Sequence, residues 1–172
     1  SPVIPVGSYV DPWGDSVEQQ INTDEKLNGM ENVSFNRLAG AESGSYTAQT
    51  QLAVTNGHFG AVSIGNRKLF AYVYPGATYE SMRKGAGHVD GTSVWNGNVA
   101  LCGHNRGSWP YFGTLKNVQV GDVITYRTSL GVRTYRVTSA GRIAATNTAV
   151  LNPSADNRIT LLSCIVNEPS FR

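Results

Sequence analysis

From about residue 57 onward the chain is a succession of short apolar, β-branched or aromatic runs, each closed by glycine, proline or asparagine. That texture limits the fold more than any other feature, because runs this short are strands rather than helices. Phe59–Ile64 and Lys68–Tyr74 flank a Gly65-Asn66 turn, and Pro75-Gly76 closes the second run. Asn98–Cys102 is apolar on both faces and reads as a central strand. Asp122–Arg127 and Val132–Ser139 form a hairpin around Leu130-Gly131, and Arg158–Cys164 is the last strand. Between them, Thr78 can cap a short helix to Lys84, which Gly85-Ala86-Gly87-His88 stops. Trp109–Val118 is an irregular or helical crossover with Phe112, Leu115 and Val118 turned inward. Six or seven short strands with few helices define a mainly β protein, a closed or nearly closed small barrel.

The first 56 residues have a different texture. Pro2, Pro5, Gly7, Pro12 and Gly14 punctuate an extended start, in which Asp11-Pro12-Trp13 makes a rigid turn carrying a large ring. Asp15 or Ser16 can cap a helix running to about Asn28, marked by Val17, Ile21 and Leu27. Residues 29–56 are polar loop with room for a short helix near 33–39. The expected organisation is an N-terminal arm and helix over 1–56 and a β-barrel over 57–172. At 172 residues the chain suits one domain with a real core.

Charge and cysteine usage exclude several classes of function. Charged residues make up 15% of the chain and the formal net charge is +2, too weak to call for nucleic acid or an anionic membrane. Two cysteines, Cys102 and Cys164, allow at most one disulfide, so the fold is not stapled. There is no run of 18 apolar residues. The chain begins at Ser1 with no initiator Met, as expected of a processed or trimmed piece.

Two strand ends carry the chemistry. Ile159-Thr160-Leu161-Leu162-Ser163 ends in Cys164, and Val99-Ala100-Leu101-Cys102 ends in Gly103-His104-Asn105. A cysteine attacks a carbonyl as thiolate and needs a proton-accepting neighbour, for which His104 is the natural candidate. The same imidazole can protonate a departing amine and deprotonate an incoming one. Arg172 can face the tetrahedral oxyanion or clamp the carbonyl. A strand-end cysteine taken alone is most often a packing residue, and buried apolar Cys102 is read that way. His58 and His88 read as structural or solvent-facing.

The local wording resembles the sortase family. Thr160-Leu161-Leu162-Ser163-Cys164 matches the family's Thr-Leu-x-Thr-Cys strand, with a serine that keeps the hydroxyl. Gly103-His104-Asn105-Arg106 looks like the segment holding the family's histidine, and Arg172 is placed like its arginine. Lys84–His88 with Gly91-Thr92-Ser93, and Phe112 and Leu115 followed by Val120–Ile124, resemble the stretches around the histidine strand. The resemblance covers about two-thirds of the chain, residues 57–172. It implies a sortase-like closed β-barrel of seven to eight strands, with short helices and an N-terminal helical or extended appendage.

It also implies a Gram-positive surface transpeptidase with Cys164 as nucleophile, His104 as acid and base, and Arg172 at the oxyanion. Such an enzyme cleaves a C-terminal sorting signal of the Leu-Pro-x-Thr-Gly type in a secreted protein. It then passes the acyl group to an amine of a cell-wall precursor or to a pilin lysine. Thr160, Ser163, Asn105 and Trp109 are the candidate groove residues. Asp11 and Trp13 resemble the lid of pilin-polymerising sortases, and a tethering arm that packs Trp13 on the barrel is the alternative. The implied location is the extracellular face of the cell membrane, held by a segment this chain lacks. No cofactor is expected. Calcium, used by some sortases, needs several carboxylates, and residues 139–158 hold Asp156 alone. A surface peptide-binding domain without activity, and a hydrolase using the same thiol, are the competing functions.

Overall fold

The computed structural model describes residues 46–141, 143 and 149–163. Among the described residues seven strands form one sheet that coils into a nearly closed barrel: β1 (Gly60–Ile64), β2 (Leu69–Pro75), β3 (Ala86–His88), β4 (Asn98–Cys102), β5 (Val123–Thr128), β6 (Gly131–Arg136) and β7 (Arg158–Leu162). The order across the sheet is β6-β5-β1-β2-β3-β4-β7. Neighbours are antiparallel except β2–β3 and β4–β7, which are parallel. The barrel expected from the sequence is therefore found, and the strands legible as apolar runs fall within a few residues of their expected places.

Period-two alternation builds the core. Leu69, Ala71 and Val73 of β2 point inward with Val62 and Ile64 of β1 and Ile124 and Tyr126 of β5. Asn98–Cys102 and Arg158–Leu162 lie side by side and bury Val99, Leu101, Ile159 and Leu161. Phe112, Leu115 and Val118 plug the barrel from the crossover, as their spacing predicts, through turns and a 3-10 turn at Leu115–Asn117. Thr47 and Leu52, upstream of residue 57, also join this body. Leu52 packs in the core, and Thr47 exchanges hydrogen bonds with Ser93, Val94 and Asn96.

The parallel pair β2–β3 is joined by helix α1 (Tyr79–Lys84). Thr78 Oγ1 accepts the Ser81 N–H at 3.1 Å, Glu80 sits in the first turn, and Arg83 and Lys84 sit in the last. These charges suit the helix dipole at both ends. Gly85 ends the helix, and a Cβ there would lie 2.3 Å from the Tyr72 carbonyl oxygen. Gly85–His88 does more than stop α1, because Ala86–His88 is strand β3, bridging β2 and β4. Three residues with a central glycine show no alternation, so only the partners on either side make them a strand. The second hairpin strand also ends at Arg136 rather than Ser139.

Candidate active site

The geometry of the β4–β7 pair controls the site. The ladder runs from Asn98↔Arg158 to Cys102↔Leu162, and Gly103 N–H extends it by donating to Leu162 O at 3.1 Å. Both strands are parallel, so both chains leave the sheet at the same end of the barrel. His104 is the second residue past β4 on that rim, and half-buried Ser163 is the first past β7.

Two contacts fix the path of the chain at His104. The Phe112 N–H donates to the His104 carbonyl at 2.9 Å, folding the loop back over the barrel end. Gly103 lies against the face of the buried Phe112 ring, where a Cβ would come within 2.6 Å of Cγ. The half-buried His104 ring packs beside Tyr79 of α1, with centroids 5.6 Å apart. Its Nε2 is buried and has no hydrogen-bond partner among the described residues. A buried ring nitrogen without a partner is expensive, and such atoms concentrate where a reaction partner completes the bond.

Trp109 is half-buried on the same rim, edge-on to Tyr79 at 6.4 Å, with the Arg83 guanidinium 5.6 Å from its ring centroid. Glu80 holds Arg83 through an ion pair one helical turn away. His104, Trp109, Tyr79 and Arg83 thus form one cluster. Tyr79 is 64% exposed, and no spacing rule ties it to His104; the signal for its position is Thr78, whose cap sets the start of α1. Asn105 is half-buried in the loop after His104.

Thr160 is placed differently from a groove residue. It is 1% exposed, and its hydroxyl donates to Asn98 Oδ1 at 2.9 Å. Asn98 Nδ2 in turn donates to Val150 O and Asn152 O, both at 2.9 Å. Thr160 is therefore part of an interior polar lock between β4, β7 and the preceding turn. Cys164, Arg172, Asp11 and Trp13 lie outside the described residues, as does the helix expected over 15–28.

The other histidines are occupied by packing. His88 is buried, and its Nε2 contacts Ser93 O at 2.8 Å and Thr92 Oγ1 at 2.9 Å. Burial pulls its pKa below 6.5, against the Ser93 carbonyl and Asp90, which favour the charged form. His58 stacks on Tyr72 with centroids 4.1 Å apart, and burial lowers its pKa as well. Asp122 ties the β1–β2 turn to β5. Burial pushes its carboxyl up, but hydrogen bonds from Arg67, the Gln119 N–H and Asn66 outweigh that and hold it below its ordinary value.

Comparison with known proteins agrees with this architecture. A family model described as the sortase domain matches residues 62–171. Among solved structures, sortase A of Listeria monocytogenes is 28% identical with a TM-score of 0.62, over 68% of this chain and 83% of that one. Sortase C1 of Streptococcus agalactiae, in complex with MTSET, is 26% identical with a TM-score of 0.64, over 77% and 76%. Sortase A of Corynebacterium diphtheriae shares the fold at 22% identity and a TM-score of 0.62, over 67% of this chain. The chain spans 57% of the length of that last protein. No match is found among curated proteins. The chain belongs to the sortase family, whose members are cysteine transpeptidases of Gram-positive surfaces. Among the described residues no helix is long and apolar enough to cross a membrane.

Proposed function

We propose that this chain is a sortase-type transpeptidase with Cys164 as nucleophile, His104 as acid and base, and Arg172 as the oxyanion partner. The observation that carries the reading is the register of β4 with β7. The ladder ends at Cys102↔Leu162 with both chains leaving the sheet at the same end, and in sequence His104 and Cys164 each follow by two residues. On that rim His104 Nε2 is buried and has no hydrogen-bond partner among the described residues, which leaves it open to a reaction partner.

In this scheme the Cys164 proton passes to His104 as Sγ bonds the carbonyl carbon of a Leu-Pro-x-Thr-Gly-like signal. Arg172 stabilises the oxyanion by fixed positive charge. The tetrahedral centre collapses, the C–N bond breaks, and His104 returns the proton to the departing amine. The thioacyl enzyme is resolved by a second amine, from a cell-wall precursor or a pilin lysine. That amine gives its proton to His104 as the C–S bond breaks. Ser163, Asn105 and Trp109 flank this rim and are assigned to the groove. Residues 57–172 form the catalytic barrel and 1–56 the arm, with the enzyme working at the extracellular face of the membrane.

Intact-protein mass spectrometry with a panel of sorting-signal peptides, with and without an added amine, tests this. The expected result is a mass gain equal to the peptide's N-terminal fragment, lost in Cys164→Ala and resolved faster by amine. Full turnover in Cys164→Ala overturns the nucleophile assignment. Resolution by water regardless of amine identifies a hydrolase, and peptide binding without an adduct identifies an inactive binding domain. A thiol reagent separates the two readings of the N-terminal turn: Trp13→Ala speeds modification of Cys164 if Trp13 is a lid and leaves it unchanged if it is a tether.

A further inference from the structure

The order of the sheet sets β3 and β7 on opposite sides of β4. Helix α1 packs on β2 and β3, so it stands on the side of His104 away from β7. Its first residue, Tyr79, is 64% exposed yet lies against the His104 ring, with centroids 5.6 Å apart. One helical turn further on, Arg83 points to the same rim, with its guanidinium 5.6 Å from the Trp109 centroid and its side chain 40% exposed. Lys84, the next residue, turns the other way, with Nζ 4.8 Å from the Tyr74 ring centroid. Two rings, one cation and a buried imidazole nitrogen with no partner among the described residues therefore share one wall. Tyr, Trp and Arg are the side chains that most often carry binding energy.

In the transpeptidase scheme a nitrogen stands at His104 in both halves of the reaction, first the departing amine and then the one that replaces it. The acyl group stays on Cys164, which follows β7 in sequence. An incoming amine must reach the thioester carbonyl with its own chain trailing away from the acyl group. From His104, the direction away from β7 leads over Tyr79 toward Arg83. The tyrosine ring offers a flat apolar wall to the carbon beside the amine. The guanidinium offers charge-assisted bonds to an oxygen anion further along the chain. Glu80 engages Nη2 of Arg83, and a guanidinium has N–H donors to spare for a second anion. One helical turn is about 5.4 Å and three extended residues reach about 10 Å, so a short peptide acceptor can span this wall.

We propose that Tyr79 and Arg83 form the subsite for the incoming amine, and that it favours an amine whose chain carries a carboxylate at the reach of Arg83; the proposal rests on the transpeptidase reading. The test is the partition of the thioacyl enzyme between amine and water, with triglycine and the uncharged triglycinamide as acceptors. The ratio of transfer product to hydrolysed product cancels any change in acylation. Tyr79→Ala is expected to lower the ratio about three- to tenfold for both acceptors. Arg83→Gln is expected to lower it about two- to fivefold for triglycine alone, and Glu80→Gln, which frees the guanidinium, to raise it for triglycine. The unmodified chain gives an independent reading, a preference for triglycine over triglycinamide that fades as salt rises from 0.05 to 0.5 M, roughly a threefold shorter screening length. No such preference, or equal losses for both acceptors in Arg83→Gln, overturns the carboxylate specificity. An adduct that forms normally but partitions unchanged in Tyr79→Ala and Arg83→Gln overturns the subsite alone. A raised KM for the signal peptide with unchanged partition also overturns it, and moves this wall to the signal. No adduct in the unmodified chain overturns the transpeptidase reading and this subsite with it.

Discussion

Gly103 is the residue on which the position of His104 depends most directly. The fully buried Phe112 ring cannot move away from a Cβ placed 2.6 Å from it, so Gly103→Ala must displace either the ring or the strand end. Overpacking of this kind costs about 1–3 kcal/mol. The expected outcome is a lower denaturant midpoint together with impaired acyl transfer, because the same displacement carries His104. An unchanged midpoint and unchanged turnover would show that the contact is not tight in solution. His104→Ala itself is expected to cut turnover by about 10²–10⁴-fold, the usual worth of a general acid and base. Single-turnover acylation and amine resolution should fall together, since the proposed scheme has one imidazole serve both steps.

At the scale of elements, the two strands that frame the site are held by more than their backbone ladder. Asn98 accepts from Thr160 of β7 and donates to the Val150 and Asn152 carbonyls of the turn before it, using its amide on three partners in two segments. Asn98→Ala leaves those buried groups without partners, at about 1–3 kcal/mol for each that water cannot reach. Thermal unfolding should show this as a marked drop in Tm. Asn98→Asp should be no rescue, since a carboxylate cannot donate to the two carbonyls. Helix α1 is a separate case, because it carries Tyr79 and Arg83 to the rim beside His104 and Trp109. Thr78→Ala removes its cap at a cost of about 1 kcal/mol. It should loosen this cluster without unfolding the barrel, seen as a small Tm change with faster backbone exchange confined to 79–84.

For the whole molecule, the histidines set a pH dependence. His58 and His88 both have folded pKa values below 6.5, so the unfolded chain binds protons that the folded chain refuses. Their contribution to stability is complete above 6.5 and is lost as pH falls from 6.5 toward the folded values. Tm is expected to decline from pH 7.5 to 5, and His88→Gln should flatten that decline. A wild-type Tm that holds level across this window would contradict the burial of a neutral His88. Asp122, held below its ordinary 3.8, keeps its contribution down to more acidic pH, so its loss is a separate event. The sequence alone determined the class of fold: alternation in Leu69–Pro75, the apolar run Asn98–Cys102 and the turn chemistry at Gly65-Asn66 each follow from local physics. It also marked His104, because a histidine after a central strand is visible in one dimension. Strand β3, the interior role of Thr160 and the neighbourhood of Tyr79 and His104 came only from the tertiary structure. Each of these depends on a partner far away in sequence, and no local propensity carries information about which chain segment will lie alongside.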